Sequence, residues 1–329
     1  MGKKRNDKRK LMRGLAVALL AVFLLTGAFL LLELWEKRQS IFPEQKTENT
    51  VYEYNGVEYV KNEDVESFLI LGLDKYEDAI NNDSYNNDQR ADFLMLLVFD
   101  NSEKKFTAVH LNRDTMVNMN VLGVAGQKIG TVNKQLALAH TYGNGRDVSC
   151  RNTADAVSEL LNGVKVNHYL SITMDAVPIL NDLLGGVEVT VLDDFSGIDD
   201  TLIKGETVTL HGDHALTYVR ERYGLEDSSN STRMVRQRQY MTAVYDKAML
   251  KIENDDNFVI EASSKLADYI VSDRSVNQLQ EIAKKLSQYK FTEIETLEGE
   301  SVVKDGLMEF RPDADSIDKI VFELFYKKK

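Results

Sequence analysis

Phe68-Leu-Ile-Leu-Gly-Leu73 and Phe93-Leu-Met-Leu-Leu-Val-Phe99 are unbroken apolar runs of strand length, and with Phe106-Thr-Ala-Val-His-Leu111 they decide the fold. A strand wetted on one face alternates apolar with polar residues, whereas a continuous run suits a strand covered on both faces. Helical periodicity follows at residues 135–141 and 153–161. A strand at 169–172, a helix at 175–184 and a strand at 187–191 come next, with Gly185-Gly186 as the helix stop. Further helices fit 212–220, 234–251, 275–288 and 316–325. Strands alternating with helices predict an α/β domain over residues 65–329, a three-layer α/β/α sandwich with a mixed central sheet.

Ahead of that domain lies a different kind of sequence. Residues 1–13 hold seven basic groups against Asp7, and an uncharged run extends from Gly14 to Leu32. Nineteen helical residues span roughly 28 Å, close to the hydrocarbon thickness of a bilayer. The expectation is a basic cytoplasmic tail (1–13), a single N-terminal transmembrane helix (14–35), a polar extracellular spacer (36–64) and an extracellular domain, oriented by the positive flank. A cleaved signal peptide is the competing reading, but no small-x-small site precedes Leu34-Trp35-Glu36. So short a tail leaves no room for a cytoplasmic output domain.

Composition narrows the function. The net charge is −12, so the chain beyond its basic tail carries −18, which disfavours nucleic acid as a partner. Cys150 is the only cysteine, and excludes an internal disulfide or thiolate cluster. His110, His140, His168, His211 and His214 show no zinc-protease spacing, and there is no nucleophile elbow or glycine-rich phosphate loop.

Within this acidic body five arginines crowd into nineteen residues: Arg220, Arg222, Arg233, Arg236 and Arg238. They repel one another unless an anion sits among them, and the guanidinium fork suits phosphate. Three further candidates stand at strand ends, where α/β folds place their chemistry. Asp74 follows the first strand, Arg90-Ala-Asp92 opens the second, and Arg113-Asp114-Thr115 follows the third. Two carboxylates flanked by arginines can hold a hard cation such as Mg²⁺ opposite a phosphate.

The order Leu-Gly-Leu-Asp74, Arg-Ala-Asp92, Asn-Arg-Asp-Thr115, Leu-Ala-His-Thr-Tyr-Gly143, Leu-Gly-Gly-Val-Glu-Val189, Leu-Thr-Tyr-Val-Arg-Glu-Arg222 and Arg-Met-Val-Arg-Gln-Arg-Gln239 resembles the LytR-CpsA-Psr family over roughly residues 65–250. The resemblance implies a membrane-anchored phosphotransferase of the Gram-positive cell envelope. Such an enzyme moves a glycopolymer (teichoic acid, capsule or a related polysaccharide) from a polyprenyl pyrophosphate carrier to a peptidoglycan hydroxyl. It further implies an apolar tunnel for the lipid, with arginines and Mg²⁺ at its mouth; Tyr142 and Phe195 are candidate tunnel residues. Asp74 and Asp92 match the family's metal-associated aspartates, and Arg90 the arginine before the second. Arg113 matches its Pro-Arg-Asp-Thr arginine, with Asn112 in place of proline. Arg220 and Arg222 match its Val-Arg-x-Arg pair, and Gln237 a later glutamine. A family lysine falls near Lys134, one residue out of register, with Lys128 the other candidate.

On this reading Arg113, Arg220 and Arg222 supply fixed positive charge, Arg90 and Arg236 support them, and Asp74, Asp92 or Asp114 accepts the hydroxyl proton. The same residues would also serve a hydrolase that releases the carrier with water. A non-catalytic lipid or polysaccharide sensor is the third class.

Overall fold

A computed structural model describes residues 50–75, 87–227, 229–255 and 257–329. The expected tail, the 14–35 anchor and most of the 75–89 loop lie outside the described residues. Among those residues no helix is long and apolar enough to cross a membrane. The chain divides into Met1–Tyr52 and Glu53–Lys329, and the fold set out below is that of the second unit.

In chain order the elements are β1 (Val51–Tyr54), β2 (Val57–Lys61), β3 (Val65–Leu73), β4 (Ala91–Asp100), β5 (Lys105–Leu111), β6 (Met116–Leu122) and β7 (Lys128–Gln135). A 3-10 turn (Leu136–Thr141), α1 (Asp147–Leu160), β8 (His168–Thr173), α2 (Ala176–Leu183), β9 (Val187–Thr190) and β10 (Thr207–Leu210) follow. Then come α3 (Asp213–Arg220), α4 (Asn230–Asn254), α5 (Phe258–Lys265), a short 3-10 turn (Ala267–Tyr269), β11 (Ile270–Ser272) and α6 (Val276–Gln288). The last are β12 (Lys290–Glu295), β13 (Gly299–Lys304), β14 (Leu307–Pro312), α7 (Ala314–Phe325) and β15 (Tyr326–Lys328). Residues 51–61 fall in the stretch expected as a spacer; there they form strands, and β2 pairs antiparallel with β15.

The expected α/β fold with a mixed central sheet is present. Six strands run in the order β11-β8-β3-β4-β5-β12. β4 is antiparallel to both β3 and β5, while β8 and β12 join as parallel strands. The apolar runs are covered on both sides, with a period of two. Leu69, Leu71, Leu94, Leu96 and Leu111 pack with residues of α1 and α7. Phe68, Met95, Leu97, Phe99 and Phe106 face Met241 and Tyr245 of α4 and Leu279, Ile282 and Leu286 of α6. Because β3 and β5 both run against β4, the end of β3, the start of β4 and the end of β5 meet at one end of the sheet. That geometry gathers Asp74, Arg90-Ala-Asp92 and Arg113-Asp114. Gly72 permits the approach there, since a Cβ at that position would lie 2.8 Å from the Cβ of Phe93.

Two β-hairpins lie outside the elements read from sequence. β6 pairs with β7 and β13 with β14. The first leaves β5 directly through Arg113–Thr115. The second closes on it, with Phe310 donating its backbone N–H to the carbonyl of Asp114.

Candidate active site

Arg113 is anchored at the end of β5 and donates to the Asp92 carboxylate at the start of β4. Its Nε lies 3.5 Å from Oδ1 of Asp114. Asp92 also faces Arg233, whose Nη1 is 3.9 Å from Oδ2 and whose Nη2 donates to the Asp92 carbonyl at 3.4 Å. Arg233 is held on the first turn of α4, where Asn230 Oδ1 accepts from its Nη2 at 2.7 Å. Ser229 caps that turn by accepting from the Thr232 N–H at 3.2 Å.

Asn112, standing where the resemblance has proline, joins the two elements. Its Oδ1 accepts from the Asp114 N–H at 2.9 Å and from Asn230 Nδ2 at 2.8 Å. Proline could fill neither role.

The electrostatics are lopsided. Asp92 serves two arginines that are nearly buried, and Asp114 faces one of them, Arg113, as well. Burial pulls Arg233 down to about 10; Asp92 opposes this, the like charges of Arg113 and Arg222 add to it, and Asp114 again opposes it. Burial raises the Asp114 carboxyl above the ordinary range, against the pull of Arg113, Arg222 and Arg233.

Asp74 pairs with Arg220, Oδ1 to Nη2 at 2.9 Å, and both remain half-exposed. Arg222 donates to the Tyr223 hydroxyl at 2.8 Å and lies 4.7 Å over its ring. Its charge reaches Asp114 and Arg233. Arg90 is exposed just before Asp92.

Arg236 does not join this group. Its side chain is fully buried, donates to the carbonyls of Tyr218 and Glu221, and pairs with Asp193 at 2.8 Å. It also lies 5.2 Å over Phe195. Its charge is answered within the protein, and it fixes the backbone that carries Arg220 and Arg222. Lys134 is exposed on β7 opposite Val117, whereas its neighbour Gln135 donates to Asp114 Oδ1 at 3.0 Å. Lys128 lies near the far end of the same hairpin. Gln135, Asn230 and the role of Arg233 were missed from sequence.

Behind the charged groups lies apolar space. A cavity of about 240 Å³ is lined by Ile70, Gly72, Phe93, Val219, Gln237 and Met241, among others. A second, about 170 Å³, shares Ile70, Met241 and Val244 with it. Gln237 stands one turn beyond Arg233 on α4, and Gly72 two residues before Asp74 on β3, so the cavity is lined by the same elements that carry the charges. Gln237 donates to the Val219 carbonyl at 3.2 Å, and its buried Oε1 has no protein partner among the described residues. Tyr142 and Phe195 line neither cavity. Tyr142 packs on the core under α1, and Phe195 stacks on Tyr218 at 5.7 Å.

No group of three or more His, Cys, Asp or Glu among the described residues could hold a metal by itself. Mg²⁺ ordinarily takes one or two carboxylates and completes its shell with water and phosphate oxygens. Asp74 is paired with Arg220 and Asp92 with Arg113 and Arg233, so each carboxylate already has a cationic partner within the protein.

A family model of the LytR_cpsA_psr family matches residues 32–325. The chain is 28% identical over 268 residues, 80% of each protein, to the polyisoprenyl-teichoic acid–peptidoglycan teichoic acid transferase TagU of Enterococcus faecalis. It is 32% identical over 186 residues to the TagU of Halalkalibacterium halodurans, spanning 56% of this chain and only 54% of that one. Among solved structures, TagT bound to LIIa-WTA superimposes with a TM-score of 0.60 at 23% identity, over 86% of this chain and 96% of that one. The family model spans most of the chain, and the chain belongs to the LytR-CpsA-Psr family.

Proposed function

We propose that this chain is a phosphotransferase that moves a glycopolymer from a polyprenyl pyrophosphate carrier to peptidoglycan. The observation that carries this reading is the junction of an apolar cavity with an arginine cluster short of one anion. That junction suits an amphiphile with a long hydrocarbon tail and a pyrophosphate head. The relatives named as teichoic acid transferases support the same donor and acceptor.

The chemistry balances without a covalent enzyme intermediate. An acceptor hydroxyl oxygen attacks the phosphorus that bears the glycan, forming a new P–O bond. The bond from that phosphorus to the bridging oxygen breaks, and polyprenyl phosphate leaves with the electron pair. Arg113, Arg233, Arg220 and Arg222 neutralise the phosphoryl and leaving oxygens, which is the main demand of phosphoryl transfer. The hydroxyl proton passes to a carboxylate among Asp74, Asp92 and Asp114; the raised pKa of Asp114 favours it as the base. Asp74 and Asp92 would hold Mg²⁺ together with pyrophosphate oxygens, and the ion would supply further charge neutralisation. The tail at 1–13 and the apolar run at 14–32 support a single-pass protein with its N-terminus cytoplasmic and this domain outside.

The test supplies purified full-length chain with a lipid-pyrophosphate-linked polymer, with and without peptidoglycan. Polymer covalently joined to peptidoglycan, dependent on Arg113, is the expected result. Release of lipid phosphate at one rate, with no joined product, would mean a hydrolase. Full activity in chelator would remove the metal from the reading.

A further inference from the structure

The β6–β7 hairpin and α1 enclose a polar groove of about 350 Å³, which the chemistry above does not use. Asn118, Asn120, Lys128, Thr131, Asp155 and Glu159 line it. Asn118 accepts from Asn133 Nδ2 at 3.0 Å, and Asn120 donates weakly to Asp155 at 3.4 Å. The Asn118 amide N–H groups, the Thr131 hydroxyl and the Glu159 carboxylate have no protein partner among the described residues. Amide, hydroxyl and carboxylate groups facing one hollow form a set that hydrogen-bonds sugar hydroxyls and acetamido groups.

The groove is aligned with the active site by strand register. Met116 pairs with Gln135, Asn118 with Asn133 and Asn120 with Thr131. Directly opposed residues share a face, and so do residues two apart. Gln135, Asn118, Asn120 and Thr131 therefore lie on one face of the hairpin, and Gln135 is the residue that reaches Asp114. Along β6, Asn118 and Asn120 stand roughly 13 and 20 Å beyond Asp114. A chain laid along this face leads into the reaction centre.

Charge selects the kind of chain. Lys128 is set against Asp155 and Glu159, so the lining is net negative in a domain that is acidic already. A polyanionic glycopolymer would be repelled there, and a neutral glycan would not. We infer that this groove is the subsite for the acceptor glycan strand, binding uncharged acetamido sugars on the far side of Asp114 from the lipid cavity. The inference rests on the transferase reading and adds where its acceptor lies.

The experiment uses full-length Thr131→Trp, which fills the groove with an exposed ring, and Asn118→Ala, which removes one amide and leaves the hairpin ladder. Each variant should raise the KM for peptidoglycan acceptor about tenfold, with donor KM changed by less than about twofold. In parallel, N-acetylglucosamine tetramer titrated into the wild type should shift the NMR signals of Asn118 and Asn120, and Thr131→Trp should abolish the shifts. Unchanged acceptor KM in both variants overturns the inference. So does a rise in donor KM instead, or tetramer shifts that survive Thr131→Trp. A wild type that binds the tetramer in the groove yet transfers nothing would fail the transferase reading and leave a glycan site standing.

Discussion

Arg233 and Arg236 sit one turn apart on the same helix, both buried, and face opposite circumstances. Arg236 has an aspartate of its own, two carbonyls and two aromatic rings. Arg233 shares Asp92 with Arg113, at a longer distance, and is pulled down chiefly by burial, with Arg113 and Arg222 adding like charge beside it. Burying an arginine is compatible with stability when its hydrogen bonds are met inside the protein. An arginine buried with its charge only half-answered marks a place where the missing charge arrives with the ligand.

The contrast is broken most directly by removing each in turn. Arg236→Met should cost about 3–5 kcal/mol in urea unfolding, because Asp193 and two carbonyls lose their partner. Arg233→Met should change stability by no more than about 1 kcal/mol, since lost contacts are offset by relieved repulsion, while lowering transfer about 10²–10³-fold. Equal stability losses in the two variants would end the distinction. Arg113→Ala should follow Arg233, losing about 10²–10³-fold in kcat with the fold retained by circular dichroism.

A smaller effect sharpens the same picture through pH. Asp114 has a folded pKa above its free value of 3.8, so folding favours its protonated form, and stability falls as pH rises through that window. As a base it must be ionised, so the acid limb of the kcat profile should lie above that of a free aspartate. Asp114→Asn should abolish the limb and lower the plateau; an unmoved limb would assign the proton to Asp74 or Asp92. Least of all, Tyr223→Phe removes one exposed hydrogen bond from Arg222 and should cost under about 1 kcal/mol in transition-state binding, read as a fall of less than fivefold in kcat/KM.

Sequence alone could not have separated Arg233 from Arg236, because nothing in Arg233-Met-Val-Arg236 says which guanidinium meets Asp193. What was legible was burial on both faces: β3, β4 and β5 announce themselves through continuous apolar runs, and their antiparallel order then places Asp74, Asp92 and Arg113 together. The β6–β7 hairpin escaped notice because Met116-Val-Asn-Met-Asn-Val-Leu122 and Lys128-Ile-Gly-Thr-Val-Asn-Lys-Gln135 are half polar, which is what a strand beside a wet groove requires. The helix expected at 135–141 is a tighter 3-10 turn, since one turn of periodicity does not distinguish the two. Gln135 and Asn230 enter the site through contacts 21 and 118 residues apart. Strand register and helix docking create such contacts, and no local pattern carries them.

The parallel pairing of β12 with β5 sets an order on how this domain can form. Phe106 and Phe291, partners across that edge, are separated by most of the domain. Until residues 290–295 are present, β5 is an open edge next to the most apolar strands of the chain. Pairings of such long range are slow to close and leave backbone groups available to other chains meanwhile. A polypeptide shortened before β12 would keep Asp92, Arg113 and Arg233 in its sequence and still have a raw sheet edge to hide. Truncation from the C-terminus should therefore appear first as aggregation rather than as a gradual loss of affinity.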